Sequence, residues 1–171
     1  AQAFLITQGG EKIVHDPRLV WNTFDIVEQY QGIAVQSKSG HAFIKDVMRE
    51  HNAVYGGEMS AHHYFRDFAY CDSGMIPWLL TIALLSETGQ SLSTLVENMI
   101  TKFPCSGEIN FKVADTQATV QKIFDHYADQ NPLVDRTDGV SLDFGAWRLN
   151  VRASNTEPLL RLNIESRADQ N

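Results

Sequence analysis

The first part of the chain alternates between short apolar runs and longer segments with helical spacing. The short runs predicted to be strands are Lys12–Asp16, which Pro17 ends, Ile33–Val35 and Ala53–Tyr55. Between them, Leu19–Tyr30 and His41–His51 place apolar residues near every third or fourth position, which is the spacing of an amphipathic helix. Because parallel strands need crossover connections, this strand–helix order predicts an α/β domain with a parallel or mostly parallel sheet.

Two more helices are predicted before the composition changes. Met75–Leu85 is the longest apolar run, and Pro77 and Thr81 interrupt it. A helix needs about 20 residues to span a bilayer, so we interpret this shorter run as a buried helix of a globular protein. Leu92–Phe103 is predicted to form the next helix.

A change of composition at 103–107, Phe-Pro-Cys-Ser-Gly, predicts a boundary between two domains, 1–104 and 105–171. In the second domain, a helix capped by Asp115 or Thr116 is predicted to run to about Ala128. Alternating apolar and polar residues predict strands at Glu108–Val113, Val140–Phe144, Ala146–Val151 and Leu159–Glu165. Short turns between such strands predict a small α+β domain with an antiparallel sheet and a helix on one face.

Charge and cysteine content exclude some functional classes. The 171 residues carry a formal net charge of −7, whereas a nucleic-acid surface needs a basic patch. Cys71 and Cys105 form no Cys-x-x-Cys pair, so neither a zinc site nor a redox motif is predicted. We expect both to be reduced thiols of a cytoplasmic protein, since no signal peptide opens the sequence.

A polar loop follows the third predicted strand. Residues 56–63, Gly-Gly-Glu-Met-Ser-Ala-His-His, place Glu58, Ser60 and His62 after two glycines that allow the backbone to turn and to approach a ligand closely. Loops at the carboxyl ends of strands are the usual ligand sites of open α/β sheets. A carboxylate can accept two sugar hydroxyls, and histidine can contact phosphate, so a polar ligand such as a carbohydrate is predicted.

A second polar loop lies between the last two predicted strands. Arg152 offers a planar fork suited to phosphate, and the donors that follow it can form an anion nest: Ser154, Asn155 and Thr156. By itself this pattern is also typical of an ordinary hydrophilic hairpin, because turns are commonly built from Ser and Asn.

Both loops resemble motifs of one enzyme family, the α-D-phosphohexomutase superfamily. The run 57–68, Gly-Glu-Met-Ser-Ala-His-His-Tyr-Phe-Arg-Asp-Phe, resembles the family's sugar-recognition loop, in the form found in bacterial phosphomannomutases. The run 152–158, Arg-Ala-Ser-Asn-Thr-Glu-Pro, resembles the loop with which the family's C-terminal domain binds a phosphate. The resemblance implies a mixed three-layer α/β/α third domain followed by a small C-terminal α+β domain, the C-terminal half of such an enzyme.

The resemblance also implies a role for each candidate residue. Glu58 and Ser60 would hold sugar hydroxyls, and three further residues would line the substrate cleft: Arg18, His41 and His62. The residues that would hold the phosphate not being transferred are Arg152, Ser154, Asn155 and Thr156. His63 has no counterpart in the core of the motif, so we expect a packing or supporting role for it.

Two parts of the family's reaction have no counterpart in this sequence. The family transfers a phosphoryl group from a phosphoserine in a Ser-His-Asn-Pro loop, and it binds Mg²⁺ through an Asp-Gly-Asp-Gly-Asp loop. Neither motif occurs here, so no catalytic residue and no metal ligand is predicted within this chain. We expect the chain to be inactive alone and to need the N-terminal domains, which bring Mg²⁺ and act through a bisphosphorylated hexose.

Three functions are compatible with these motifs. The leading hypothesis is the substrate-binding half of a phosphomannomutase that interconverts mannose 6-phosphate and mannose 1-phosphate. A dual phosphomannomutase/phosphoglucomutase is the first alternative, because the orientation of one hydroxyl separates the two sugars. The second is a non-catalytic module that binds a hexose phosphate.

Overall fold

A computed structural model describes residues 1–7, 9–154 and 157–167 of the chain. The described residues divide between two compact units, one within Ala1–Asp16 and Val20–Ile100, the other within Pro17–Leu19 and Thr101–Asn171. The α-helices are α1 Gln2–Thr7, α2 Trp21–Gln29, α3 His41–His51, α4 Met75–Thr88, α5 Leu92–Lys102 and α6 Thr116–Tyr127. The strands are β1 Lys12–His15, β2 Ile33–Gln36, β3 Tyr55–Gly57, β4 His63–Phe65, β5 Cys71–Asp72, β6 Cys105–Lys112, β7 Leu133–Asp135, β8 Val140–Asp143, β9 Trp147–Ala153 and β10 Leu159–Ser166.

The first unit contains a mixed sheet with the strand order β2-β1-β3-β4-β5. β1 pairs in parallel with β2 and β3, and α2 and α3 are the crossover connections between these strands. β4 and β5 continue the sheet in antiparallel pairs, and the sequence analysis did not predict either of them. The expectation of a mostly parallel sheet was therefore right for three strands and wrong for the edge that β4 and β5 form.

Adjacent residues of β1 place the helices on opposite faces of this sheet. Val14 packs with Ile44 and Met48 of α3, whereas Ile13 packs with Leu5 of α1 and a buried residue of α2. Successive side chains of a strand point to opposite faces, so α3 covers one face while α1 and α2 cover the other. The predicted α/β/α layering is confirmed in this unit.

Gly56 allows α3 to lie close to the sheet. The apolar run predicts that the third strand ends at Tyr55, but β3 extends through Gly57, so both glycines belong to the strand rather than to the loop. A Cβ atom on Gly56 would lie 2.6 Å from the Sδ of Met48 and 2.9 Å from Cγ2 of Ile44. The close approach that this glycine permits is therefore to a helix, not to a ligand.

Helix α4 corrects the expectation of a buried helix at Met75–Leu85. Within the described part of the chain, α4 has no buried residue, and Trp78 and Leu79 are each 55% exposed. Apolar side chains occur on all sides of the helix, and a helix of this kind is usually buried against other parts of a protein. Composition does not reveal which element packs against it. None of the described helices is both long enough and apolar enough to cross a membrane.

The second unit contains an antiparallel sheet with the strand order β6-β10-β9-β8-β7. Of the four predicted strands, β8, β9 and β10 agree with the prediction to within two residues at each end. β6 begins three residues before its predicted start, and the short strand β7 was not predicted. Helix α6 begins as predicted, because the side chain of Asp115 accepts a hydrogen bond of 2.9 Å from Ala118 N. The predicted fold class, an α/β domain followed by a small antiparallel α+β domain, is confirmed.

The two faces of this second sheet differ in character. On one face, Leu149 and Val151 of β9 pack with Leu160 of β10 and with residues of α6. The residues between them point the other way and are polar, yet they are buried: Arg148, Asn150 and Arg152 of β9 and Asn163 and Glu165 of β10. The alternation thus supplies an apolar core on one face and a set of buried charges on the other.

Candidate functional site

The parallel strands of the first unit end together at one edge of the sheet. His15 of β1 lies in register with Gln36 of β2 and with Gly57 of β3. The segments that follow these three strands therefore start next to one another, and they carry Asp16 and Glu58. This is the position at which open α/β sheets bind ligands.

The carboxylate of Glu58 is fixed by two hydrogen bonds. Gly40 N donates to Oε1 over 2.7 Å, and the Tyr64 hydroxyl donates to Oε2 over 2.6 Å. Gly40 directly precedes α3, and the positive end of a helix dipole favours a carboxylate there. Burial, and then the hydrogen bond to Glu58, raise the pKa of Tyr64 above its ordinary value, so the hydroxyl keeps its proton and remains a donor.

The backbone of this loop is held in a tight turn. Ala61 N donates to Glu58 O and Glu58 N donates to His62 O, both over 3.0 Å. Asp16 Oδ2 accepts a hydrogen bond of 2.9 Å from Met59 N, which ties the loop to the end of β1. Ala61 has a φ of 63°, a conformation that glycine adopts more readily than alanine. The backbone of the loop is therefore held in one conformation by these hydrogen bonds.

The other predicted sugar-binding residues of this unit lie around Glu58 with exposed side chains. Ser60 Oγ lies 3.1 Å from His62 Nδ1, and both residues are exposed. His41 is the first residue of α3, next to the glycine that contacts Glu58, and it is also exposed. The structure thus brings Glu58, Ser60, His62 and the start of α3 together around one fixed carboxylate.

His63 points away from these exposed residues. It lies on β4, and its Nδ1 is 2.6 Å from the hydroxyl of Tyr55. Burial lowers the pKa of His63, and the positive charges of the N-terminus and His62 lower it further. Burial raises the pKa of Tyr55 to about 12. These contacts fit the packing or supporting role expected for His63.

The second polar loop joins β9 to β10 in the second unit. Arg152 is buried, with 6% of its surface exposed, and Ser154 N donates to Leu159 O over 2.8 Å across the start of the turn. Asn155 and Thr156, both predicted to bind phosphate, lie outside the described residues. The loop therefore leaves the sheet next to a buried guanidinium.

Arg152 belongs to a cluster of arginines around one carboxylate. Glu108 lies within ion-pair distance of three guanidinium groups, at 3.8 Å from Arg18, 3.5 Å from Arg152 and 3.3 Å from Arg161. Arg18, predicted to line the sugar cleft, is thus grouped with the predicted phosphate-binding arginine. The cluster carries more positive than negative charge, as an anion site requires.

A buried ion pair fixes the segment that carries Arg18. Arg148 Nη1 lies 2.7 Å from Glu165 Oε1, and both side chains are at most 4% exposed. The same guanidinium donates hydrogen bonds to Arg18 O over 3.1 Å and to Pro17 O over 2.9 Å. With these partners the buried charge of Arg148 is compensated, and the backbone of Arg18 is held in place.

Sequence reasoning missed several residues that organise these sites. Tyr64 and Asp16 hold the first loop, while Glu108 and Arg161 accompany Arg152. The register of β3 with β4, and of β6 and β9 with β10, brings them into place, and this register cannot be read from either segment alone. One signal was present, since Tyr64 and His62 alternate with His63 and so share one face of the segment.

No metal centre is found among residues 1–7, 9–154 and 157–167. In that part of the chain, no three His, Cys, Asp or Glu side chains come together in a way that could hold a metal ion. Cys71 and Cys105 are both free and exposed. The polar groups of both sites are guanidinium, hydroxyl and imidazole groups, which can donate hydrogen bonds to sugar or phosphate oxygens, and carboxylates, which accept hydrogen bonds from sugar hydroxyls.

Comparison with protein families agrees with the fold of both units. Residues 1–103 match the family "Phosphoglucomutase/phosphomannomutase, alpha/beta/alpha domain III", and residues 108–171 match "Phosphoglucomutase/phosphomannomutase, C-terminal domain". The chain belongs to the phosphoglucomutase/phosphomannomutase family, and it corresponds to the third and the C-terminal domains of that family.

Several curated relatives are named as phosphohexose mutases or phosphomannomutases. A protein named "Phosphohexose mutases" from Xanthomonas campestris pv. campestris is 66% identical over 169 residues, 99% of this chain and 38% of the relative. A phosphomannomutase of Salmonella montevideo is 57% identical and one of Escherichia coli K12 is 56% identical, each over 99% of this chain and 37% of the relative. The chain therefore spans less than two fifths of the length of these relatives.

Solved structures show the same fold at low sequence identity. A phosphoglucomutase/phosphomannomutase family protein of Burkholderia thailandensis matches with a TM-score of 0.79 and 22% identity, over 98% of this chain and 36% of that one. An Aspergillus fumigatus N-acetylphosphoglucosamine mutase matches with a TM-score of 0.59 and 13% identity, over 99% of this chain and 38% of that one.

Proposed function

We propose that this chain is the substrate-binding half of a phosphomannomutase that interconverts mannose 6-phosphate and mannose 1-phosphate. The observation that carries the proposal is the 57% identity, over 169 residues, to a protein named phosphomannomutase. The fixed carboxylate of Glu58 supports it, because an immobile acceptor can bind sugar hydroxyls without first losing conformational entropy.

The chain's own residues would bind and orient the sugar phosphate. Glu58 accepts hydrogen bonds from sugar hydroxyls, while Ser60, His41 and His62 offer exposed donors and acceptors beside it. In the second unit, Arg152 and Ser154 provide the described part of the phosphate site, and Arg18, Asn155 and Thr156 are proposed to complete it. Positioning of this kind is a large part of what a phosphoryl-transfer enzyme contributes.

The nucleophile and the metal are proposed to come from another part of the full-length protein. We assign the phosphoserine, and the Mg²⁺ that neutralises charge on the transferred phosphoryl group, to N-terminal domains beyond this chain, acting through a bisphosphorylated hexose. The absence of a Ser-His-Asn-Pro motif in the sequence supports that assignment. A cytoplasmic location is proposed from the two free cysteines.

The first test compares sugars in the full-length protein that contains this chain. We expect kcat/KM for mannose 1-phosphate to exceed that for glucose 1-phosphate by roughly tenfold or more, the effect of about one hydrogen bond to a charged group. Similar values for both sugars would favour the dual phosphomannomutase/phosphoglucomutase, an alternative supported by the relative named "Phosphohexose mutases". No turnover of either sugar by a protein that still binds them would favour the non-catalytic module.

The second test asks whether Glu58 has the proposed role. Glu58→Gln keeps the size of the side chain but removes its charge, and we expect kcat/KM to fall by roughly tenfold or more. The matched control is Glu50→Gln, which makes the same change on an exposed part of α3. Equal activities of the two variants would show that Glu58 does not bind the sugar.

A further inference from the structure

Two like charges face each other on the polar side of the second sheet. Arg152 of β9 and Arg161 of β10 are directly opposite in the strand register. Like charges in that position destabilise a sheet. Both guanidinium groups are also largely withdrawn from water, since the side chains of Arg152 and Arg161 are 8% and 24% exposed. Such a pair requires an anion between or beside the two side chains.

Glu108 of β6 supplies that anion, but it holds the arginines loosely. Its contacts to Arg152 and Arg161 are 3.5 Å and 3.3 Å long, whereas a charge-assisted hydrogen bond is about 2.7–2.9 Å. The ion pair of Arg148 with Glu165, on the same face of the same sheet, is 2.7 Å long. One carboxylate is therefore shared among several guanidinium groups and binds none of them closely.

The arginines retain donor capacity that the described residues do not use. The Nε atoms of Arg152 and Arg161 are buried, and neither has a hydrogen-bond partner among the residues that the structure describes. A buried donor without a partner destabilises the folded protein. A phosphate group brings more acceptor oxygens and more negative charge than one carboxylate, so it can satisfy donors that Glu108 leaves unused.

We propose that Glu108 is a built-in competitor for the substrate's phosphate group, and that Arg161 is a further phosphate-binding residue. The inference rests on the proposed function and adds residues to the phosphate site. In the empty site, Glu108 keeps the arginines converged despite their mutual repulsion. When a phosphate group binds, Arg152 and Arg161 transfer their hydrogen bonds to it, and the nearby carboxylate repels it. Glu108 thereby limits phosphate affinity and favours release of the product.

The test is a titration of the 171-residue chain with inorganic phosphate and with mannose 1-phosphate, followed by amide NMR. We expect Glu108→Gln to bind both ligands roughly tenfold more tightly, because it removes a like charge beside the ligand. The matched control is Glu157→Gln, since Glu157 is exposed and lies 3.7 Å from Arg161. Removal of that exposed charge should change the affinity less than about twofold.

A measurement on the unaltered chain covers the case in which Glu108→Gln does not fold. The Nε–H signals of Arg152 and Arg161 should both shift when phosphate is added, because both donors gain a partner. A shift of Arg152 alone would overturn the role of Arg161. Unchanged or weaker phosphate binding by folded Glu108→Gln would overturn the competitor role.

The outcomes also separate this inference from the proposed function. If the unaltered chain binds phosphate and Arg152→Ala does not, the proposed phosphate site is supported. If the phosphate affinity of Glu108→Gln is then unchanged, the role of Glu108 as a competitor is rejected. Absence of any shift in either polar loop, with both ligands and in every variant, would reject both proposals.

Discussion

The hydroxyl of Tyr64 donates its hydrogen to Glu58 Oε2 over 2.6 Å, across the hairpin that β3 and β4 form. Like Gly40 N, which donates to Oε1, this hydroxyl helps to orient the carboxylate. Glu58, which the sequence predicts to hold sugar hydroxyls, is therefore positioned in part by Tyr64, for which the sequence predicted no role.

We expect Tyr64→Phe to weaken the binding of hexose phosphates without abolishing it. The change removes the hydrogen bond from the Tyr64 hydroxyl to the Glu58 carboxylate and leaves the one from Gly40 N, and a bond to a charged group contributes about 1.5–3 kcal/mol. Part of this loss should raise KM roughly tenfold. The measurement is steady-state kinetics of the full-length protein with mannose 1-phosphate.

Tyr70→Phe is the control for the Tyr64 variant. It removes another tyrosine hydroxyl of the same unit, one that donates to Asn52 Oδ1 over 3.1 Å. Its KM should stay within about twofold of the unaltered protein, because exposed polar contacts contribute little. If Tyr64→Phe had the same KM as Tyr70→Phe, Tyr64 would not position Glu58 for binding.

Ala61→Gly should stabilise the protein or leave its stability unchanged. Alanine at a φ of 63° costs about 1–2 kcal/mol, while glycine costs about 0.5–1 kcal/mol in backbone entropy, so the net gain in stability is between zero and about 1.5 kcal/mol. Urea denaturation would measure it. Ala83→Gly, the same change at an exposed position within α4, should lower the free energy of unfolding by up to about 1 kcal/mol. A loss of stability in Ala61→Gly similar to that in Ala83→Gly would contradict the expectation.

Glu165→Leu should destabilise the second unit by about 3–5 kcal/mol, because it leaves the buried charge of Arg148 without its carboxylate. The double variant Arg148→Met/Glu165→Leu should recover roughly half of that loss, since no buried charge remains. Thermal and urea denaturation measure both values. As control, Glu157→Leu removes an exposed carboxylate and should shift stability by less than about 0.5 kcal/mol. A double variant as unstable as the single one would show that Arg148 contributes mainly through its bonds to Pro17 and Arg18.

His63 should make the first unit less stable as the pH falls from about 7 to 5. Burial lowers the pKa of folded His63 below the ordinary value, so the unfolded chain binds more protons in that range and unfolding becomes easier. His63→Gln should flatten the dependence of unfolding free energy on pH. The control is His51→Gln, which removes a histidine at the end of α3. Parallel pH profiles for the unaltered protein and His63→Gln would exclude this contribution.

The sequence allowed prediction of the elements that have a clear period. β1, β2 and the helices α2 and α3 follow from apolar runs and from helical spacing, and the cap at Asp115 follows from side-chain chemistry. β4, β5 and β7 contain two or three residues each, too few for an alternating pattern. Their pairing partners stabilise them, and those partners become known only with the register.

The candidate sites also contain some residues that could be predicted from the sequence and others that could not. Glu58, Ser60, His62 and Arg152 stand out in the sequence because their chemistry is concentrated in short loops. Tyr64, Glu108 and Arg161 belong to strands, and each contacts a charged residue of another segment. Their contribution depends on distances between segments that a linear pattern does not contain.

Strand β9 carries five consecutive buried residues, Arg148 to Arg152, that serve two faces at once. A slip of one residue in its pairing would place Leu149 and Val151 among the charges and Arg148 and Arg152 in the apolar core. Such a slip would disturb the proposed phosphate site and the apolar core together. If Arg152 binds phosphate as proposed, phosphate binding by a preparation of the protein would also report that β9 is paired in the correct register.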